Sequence, residues 1–505
     1  MTHWIIAPIV LPAVLAPLIV LLARHDLLLA RVMSLAGTLA LGAIALGLLG
    51  IAASGPPQGY FLGHWPAPFG IVLVLDRLAA LMLALTAFLA LAVQLYAIGT
   101  GWDARGAHFH ALVQFLLMGV CGAFLTGDAF NLFVFFEVLL IASYGLMIHG
   151  GGRERLRAGL HYVAFNLFGS TLFLFGLATI YGVTGTLNMA DLAQKVAALP
   201  GSEAALVRVA AVILLAVFAI KGALVPFQAW LPGTYAAAPG PVAALFAVMT
   251  KVGAYAVLRV HGLVFPPGTP ATGPLIEDIL LPAGLGTLVL GAVGVLGASS
   301  LRRLVAFGAV ASMGTLFTAL SGGTPQATAA ALYYLVHSTL AAAVLFLLAD
   351  LVLARRGSDG LARPLAPIAQ EGLLAALFLA GAVALAGLPP LSGFPGKLQI
   401  LEAFRGPSMP WVWGTILGSS LVMIVGLARA GSLLFWKSHD RTTPAGGLPH
   451  RAEPLALSAV GLLLAGLVAL TLAGGPVTRH LAAIADELQA RAPYLAAHAL
   501  PGVAP

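Results

Sequence analysis

Five ionisable side chains sit in the middle of long apolar runs: Glu137, Lys221, Lys251, His337 and Lys397. A charge held at mid-bilayer depth costs roughly 2.5–3.5 kcal/mol on insertion scales. Several such groups on separate helices suit one chemistry, the passage of protons or ions from group to group through an apolar slab. Histidine fits such a relay because it titrates near neutrality and can donate and accept at once. Lys221 and Lys397 each lie beside prolines, and a proline inside a helix frees a carbonyl that water or protein must satisfy. A carboxylate moving near such a lysine can switch it between holding and releasing a proton. Glu137 is the expected partner of Lys221, since buried charges without compensation are costly. Lys251 and His337 then continue a lateral series toward Lys397. Three secondary candidates follow: Asp128, which also suits a helix cap, His161 near Arg157, and Glu402, five residues beyond Lys397.

These groups need helices to carry them. The chain has 505 residues, of which 60% are hydrophobic and 9% charged, too few polar residues to cover a water-soluble globule. Its composition predicts a single all-α polytopic membrane domain over 1–505 in contact with the lipid bilayer. Fourteen spans are expected, near 4–23, 32–53, 72–98, 108–126, 129–149, 158–183, 205–225, 241–264, 276–298, 302–320, 326–353, 370–404 (interrupted), 411–436 and 454–474. The first run ends at Arg24 and not at a small-residue cleavage site, so it reads as a span. The single cysteine, Cys121, lies in an apolar run, which excludes disulfides and thiolate metal sites, and no metal site is expected.

The net charge of +7 would suit nucleic acid if it were clustered, but the basic residues are scattered through loops. Odd-numbered loops carry Arg24, Arg31, Arg105, Arg153, Arg155, Arg157, Arg302, Arg303, Arg355, Arg356, Arg363, Lys437, Arg441 and Arg451. Even-numbered loops carry Lys195, Arg208 and Arg405. Positive residues stay on the cytoplasmic side, so both termini are expected outside. The tail 476–505, with Arg479, Asp486, Glu487 and Arg491, reads as an amphipathic stretch on the outer surface or on a partner. Asp76 and Arg77 read as an adjacent structural pair at the interface.

Two interruptions lie five spans apart: Lys221-Gly-Ala-Leu-Val-Pro226 in span seven and Gly387 through Lys397 in span twelve. Arg259 and Arg429, each followed six residues later by phenylalanine (Phe265 and Phe435), echo the same offset. Transporters are often built from inverted repeats broken at matching positions. Spans four to eight (107–265) are therefore expected to repeat as spans nine to thirteen (275–437).

The stretch Phe124-Leu-Thr-Gly-Asp-Ala-Phe-Asn-Leu-Phe-Val-Phe-Phe-Glu137, followed by Ser143-Tyr144, resembles the D subunit of Mrp-type multisubunit cation/proton antiporters. So do Lys221-Gly-Ala-Leu-Val-Pro-Phe-Gln-Ala-Trp-Leu-Pro232, Ala238-Pro-Gly-Pro-Val-Ala243, Lys251-Val-Gly-Ala-Tyr255 and Gly387-Leu-Pro-Pro-Leu-Ser-Gly-Phe-Pro-Gly-Lys397. The broader family includes antiporter-like subunits of respiratory NADH–quinone oxidoreductases and membrane-bound hydrogenases. The resemblance implies fourteen helices with two inverted five-helix repeats (helices 4–8 and 9–13), helices 7 and 12 being broken. It carries the relay over to Glu137, Lys221, Lys251 and Lys397. It also implies a bacterial plasma-membrane subunit that works beside other membrane subunits and exchanges a monovalent cation (Na+ first, then K+ or Li+) for H+. No redox cofactor motif is present and no cofactor is expected, so the chain reads as a transporter subunit and not as an enzyme. The alternative is a proton-translocating subunit of an NADH–quinone oxidoreductase or hydrogenase complex. One departure concerns span eleven, where relatives often show His-His-x-x-x-Lys. Here His337-Ser-Thr-Leu-Ala-Ala342 stands in its place, leaving His337 to bridge toward Lys397.

Overall fold

The computed structural model describes residues 2–362, 367–437 and 453–498. Arg363, Arg441, Arg451 and the tail beyond His498 lie outside the described residues. A short turn (Thr2–Ile5) leads into α1 (Ala7–Leu22) and α2 (Leu27–Ser54), followed by the strands β1 (Gln58–Phe61) and β2 (Val72–Leu75). Then come α3 (Arg77–Thr100), α4 (Phe109–Leu125), α5 (Ala129–Met147), α6 (Arg153–Thr184), α7 (Met189–Ala198), α8 (Ala205–Lys221), α9 (Trp230–Ala237), α10 (Gly240–Ala256) and α11 (Gly262–Val264). The second half holds α12 (Leu275–Gly297), α13 (Leu301–Leu320), α14 (Pro325–Arg356), α15 (Glu371–Ala386), α16 (Gly393–Ala403), α17 (Met409–Gly431), α18 (Pro454–Leu472), α19 (Gly474–Ala490) and α20 (Ala492–Ala496).

Short polar side chains start many of these helices by accepting a first-turn amide. Asp26 accepts from Leu29 at 3.0 Å, Asp76 from Ala79 at 2.8 Å and Asp128 from Asn131 at 2.7 Å. Among the described residues, ten helical stretches are long and apolar enough to cross a membrane, and α1, α4 and α15 are shorter apolar helices. The expected span 72–98 starts late, because Val72–Leu75 pairs antiparallel with Gln58–Phe61 and Asp76 then caps α3. The run Val-Leu-Val-Leu is buried throughout and suits a strand as well as a helix.

Two helices stop partway through the bundle. The first, α8, ends at Lys221 and resumes as α9 after the stretch containing Pro226. The second, α15, ends at Ala386, where Gly387 takes φ +79°, and resumes as α16 after Pro389 and Pro390. Two other helices end in π-helical turns, Val257–His261 after α10 and Ser432–Trp436 after α17.

One end of the bundle gathers basic loops. There Arg31 pairs with Asp103 at 2.6 Å, Arg105 lies over the Trp102 ring, and Arg155 reaches the Ala237 carbonyl at 3.2 Å. The opposite end holds the β-hairpin, the N-terminal turn packed on β1, and the amphipathic α19, tied down by Arg77–Glu487 at 3.5 Å. The adjacent residues Asp76 and Arg77 therefore have separate partners, Asp76 pairing instead with Arg259 at 2.7 Å.

The core centres on α10 and α14. Of the apolar windows in the α10–α11 and α14 spans, 94% is buried, against 33% for α2, α6, α17 and α18. Helices apolar on every side belong inside. Around them the contacts run α5 on α6, α6 on α8, α8 on α10, α10 on α14 and α14 on α16.

Candidate functional site

That order of contacts carries the five mid-span residues. Glu137 is half-buried on α5, and the Ser170 hydroxyl on α6 donates a short hydrogen bond to its Oε1. The rings of Phe136 and Phe218, 6.3 Å apart, bring α5 against α8. Lys221 ends α8 and is 3% exposed. Glu137 attracts its ammonium electrostatically, yet the two form none of the ion pairs within 4.0 Å among the described residues. No protein group among the described residues accepts a hydrogen bond from Lys221 Nζ.

The break after Lys221 is held by named partners. Trp230 Nε1 donates at 3.0 Å to the Ile220 carbonyl, which also accepts from the Ala223 amide, and the Val225 amide donates to Thr287 Oγ1 at 2.8 Å. Gly253 of α10 lies flat against it: a Cβ there would stand 2.8 Å from the Gly222 nitrogen and from the Phe218 carbonyl. Lys251, 1% exposed, sits two residues earlier on the same helix.

His337, also 1% exposed, comes next on α14. Its helix packs on both α10, which carries Lys251, and α16, which carries Lys397. Its Nδ1 lies 2.9 Å from Ser392 Oγ in the second break. Lys397 Nζ donates to the freed Ala386 carbonyl at 2.7 Å and to Ser420 Oγ at 2.8 Å. A Cβ at Gly387 would stand 2.7 Å from Lys397 Cδ, so glycine answers both the positive φ and the lysine's approach. The second break thus supplies a carbonyl acceptor for Lys397 where protein encloses it.

The secondary candidates lie apart from this line. Asp128 caps α5, its carboxylate occupied by the Asn131 amide. His161 is exposed on α6, its Nδ1 3.0 Å from the Arg157 carbonyl oxygen. Glu402 is exposed and pairs with Arg405 at 3.4 Å. Sequence reasoning missed Ser170, Ser392 and Ser420, because a lone hydroxyl in an apolar run more often bonds its own helix. It also missed Asp350, which is buried and accepts from Tyr96 Oη at 2.9 Å and Trp102 Nε1 at 2.8 Å.

The sequence pattern of the family described as "NADH:quinone oxidoreductase/Mrp antiporter, TM" matches residues 126–424. The chain is 42% identical to the D subunit of a probable K(+)/H(+) antiporter from Rhizobium meliloti (strain 1021), over 97% of this chain and 96% of that one. It is 38% identical to the D subunit of a Na(+)/H(+) antiporter from Bacillus subtilis (strain 168), over 88% and 89%. A chain in the solved structure of the Mrp complex from Dietzia sp. DQ12-45-1b superposes with a TM-score of 0.87 at 27% identity, over 99% of this chain and 100% of that one. The chain belongs to the NADH:quinone oxidoreductase/Mrp antiporter transmembrane family.

Proposed function

We propose that this chain is a subunit of a multisubunit secondary antiporter that exchanges a monovalent cation, Na+ or K+, for protons. The observation that carries this is the series of titratable groups on buried, mutually packed helices, with Lys221 and Lys397 each at a helix break. Protons pass along Glu137, Lys221, Lys251, His337 and Lys397. Ser170 and Ser392 serve as hydroxyl contacts on the line, through their bonds to Glu137 and His337. Separation of the charges lets them couple and uncouple as protons move: Glu137 attracts Lys221 without a direct ion pair.

The same reading counts α8–α9 and α15–α16 as one crossing each, making fourteen, with 107–265 repeated in inverted sense as 275–437. Support comes from the two breaks, the two π-helical turns, and the matching bridges Asp128–Asn188 and Ser300–Gly360. Both termini face outward from the bacterial plasma membrane, opposite the basic end. Other membrane subunits complete the antiporter, and the exposed flanks of α2, α6, α17 and α18 leave room for lipid or such neighbours.

The test is proton movement in everted vesicles carrying the assembled complex. Adding Na+ or K+ should release protons, and Glu137→Ala or Lys221→Ala should abolish the response with insertion unchanged. Normal exchange in either variant would overturn the relay. Proton movement indifferent to both cations would point to a redox-driven complex.

A further inference from the structure

We propose that the groove between α6, α9 and the start of α13 binds an anionic phospholipid, its phosphate on Arg157 and Arg303 and an acyl chain along α6. The groove encloses about 790 Å3, with Arg153, Arg157 and His161 on one wall, Trp230 on the floor, and Arg302 and Arg303 opposite. Their charges are unequally compensated. Arg302 is paired with Asp359 at 3.1 Å, whereas Arg153, Arg157 and Arg303 have no ion-pair partner within 4.0 Å among the described residues. Among the described residues, Glu154 is the only carboxylate lining the groove. These three arginines come from segments nearly 150 residues apart in sequence and converge on one opening, all of them exposed. Guanidinium forks match phosphate oxygens in geometry as well as charge.

A free phosphate would need nothing further, but the wall continues as an apolar stripe. Beyond Arg157 and His161, Ala164, Phe168 and Phe175 follow at helical spacing and are exposed, Phe168 by 52% and Phe175 by 61%. From Arg157 to Phe175 the helix descends about 27 Å, close to the thickness of a bilayer's hydrocarbon core. A phosphate at the top and an alkyl chain below complement this surface together. Basic pockets between helices on the cytoplasmic side recognise anionic headgroups, and these arginines lie on the basic end.

The test is native mass spectrometry of the purified full chain released from mixed micelles. It should retain one phosphatidylglycerol and no phosphatidylcholine. The double variant Arg157→Gln/Arg303→Gln should retain at least about tenfold less, whereas Arg157→Lys/Arg303→Lys should retain most of it. Arg405→Gln, on the other end, should behave as wild type, and melting temperatures should show that each variant is folded. Millimolar inorganic phosphate should leave the lipid in place. Equal retention by the Gln pair, equal retention of the neutral lipid, or displacement by inorganic phosphate would each overturn the proposal. So would finding, in the assembled complex, an acidic segment of a neighbouring subunit seated in the groove.

Discussion

His337 Nδ1 lies 2.9 Å from Ser392 Oγ, across the join between the unbroken α14 and the gap that interrupts the next span. The bond gives one ring nitrogen a fixed partner, and the ring also meets the Ala384 carbonyl at the end of α15. Ser392→Ala should slow exchange by about fivefold, the loss of roughly 1 kcal/mol of hydrogen bonding. His337→Leu removes the titratable group altogether and should cost at least about tenfold. Proton flux in everted vesicles reads both. Full activity of His337→Leu would show that protons leave the line before α14.

The Ser170 hydroxyl orients Glu137 from the neighbouring helix. Ser170→Ala should lower the exchange rate several-fold, while Ser170→Thr, which keeps the hydroxyl, should restore most of it. Glu137→Gln should be inactive. A Ser170→Ala variant with an unchanged rate would mean that the contact only packs α6 on α5.

Lys221 Nζ is buried with no protein acceptor among the described residues. A buried polar group in that condition costs stability. Lys221→Met should therefore melt higher than wild type in detergent while exchanging nothing. A lower melting temperature would show that the attraction between Glu137 and Lys221 outweighs that cost.

The five mid-span groups stood out in the sequence because each ionisable side chain contrasts with an apolar background, and both breaks announced themselves through proline and glycine. The start of α3 was less legible: Val72–Leu75 is apolar enough to extend a helix, and only its pairing with Gln58–Phe61 decides otherwise. Contacts between distant segments were hidden for a related reason. Nothing local in the sequence says that Ser392 meets His337, or that Asp76 passes over its neighbour Arg77 to reach Arg259.

Asp103 sits outside the spans, buried between Arg31 at 2.6 Å and His110 at 3.1 Å. Burial pushes its carboxyl up, but the hydrogen bonds from His110 and Arg31 outweigh that and hold it down at about 2, against 3.8 ordinarily. A lowered carboxyl stabilises the fold above the unfolded value and loses that contribution as pH falls through the folded one. The contribution of Asp103 should stay constant from neutrality to about pH 4 and fade between about pH 4 and pH 2. Asp103→Asn should lower the melting temperature at pH 7 and shrink that gap below pH 4. A gap independent of pH would assign the loss to packing.

Asp76 and Arg259 form an ion pair at 2.7 Å with side chains 2% and 3% exposed. Asp76 also caps α3, and Arg259 donates to Tyr255 Oη at 3.1 Å with its guanidinium over the Tyr494 ring at 4.6 Å. Removing one partner of such a pair strands the other charge, which costs about 3–5 kcal/mol, whereas replacing both can be nearly neutral. Losing a cap alone costs about 1 kcal/mol. Asp76→Ala should thus destabilise the chain far more than Asp26→Ala, which removes only a cap. Asp76→Ala/Arg259→Leu should recover much of the loss, because the stranded guanidinium is gone. Thermal unfolding in detergent reads all three variants. A double variant no more stable than Asp76→Ala would place the cost in the cap and in the packing of Tyr494, and not in the uncompensated charge.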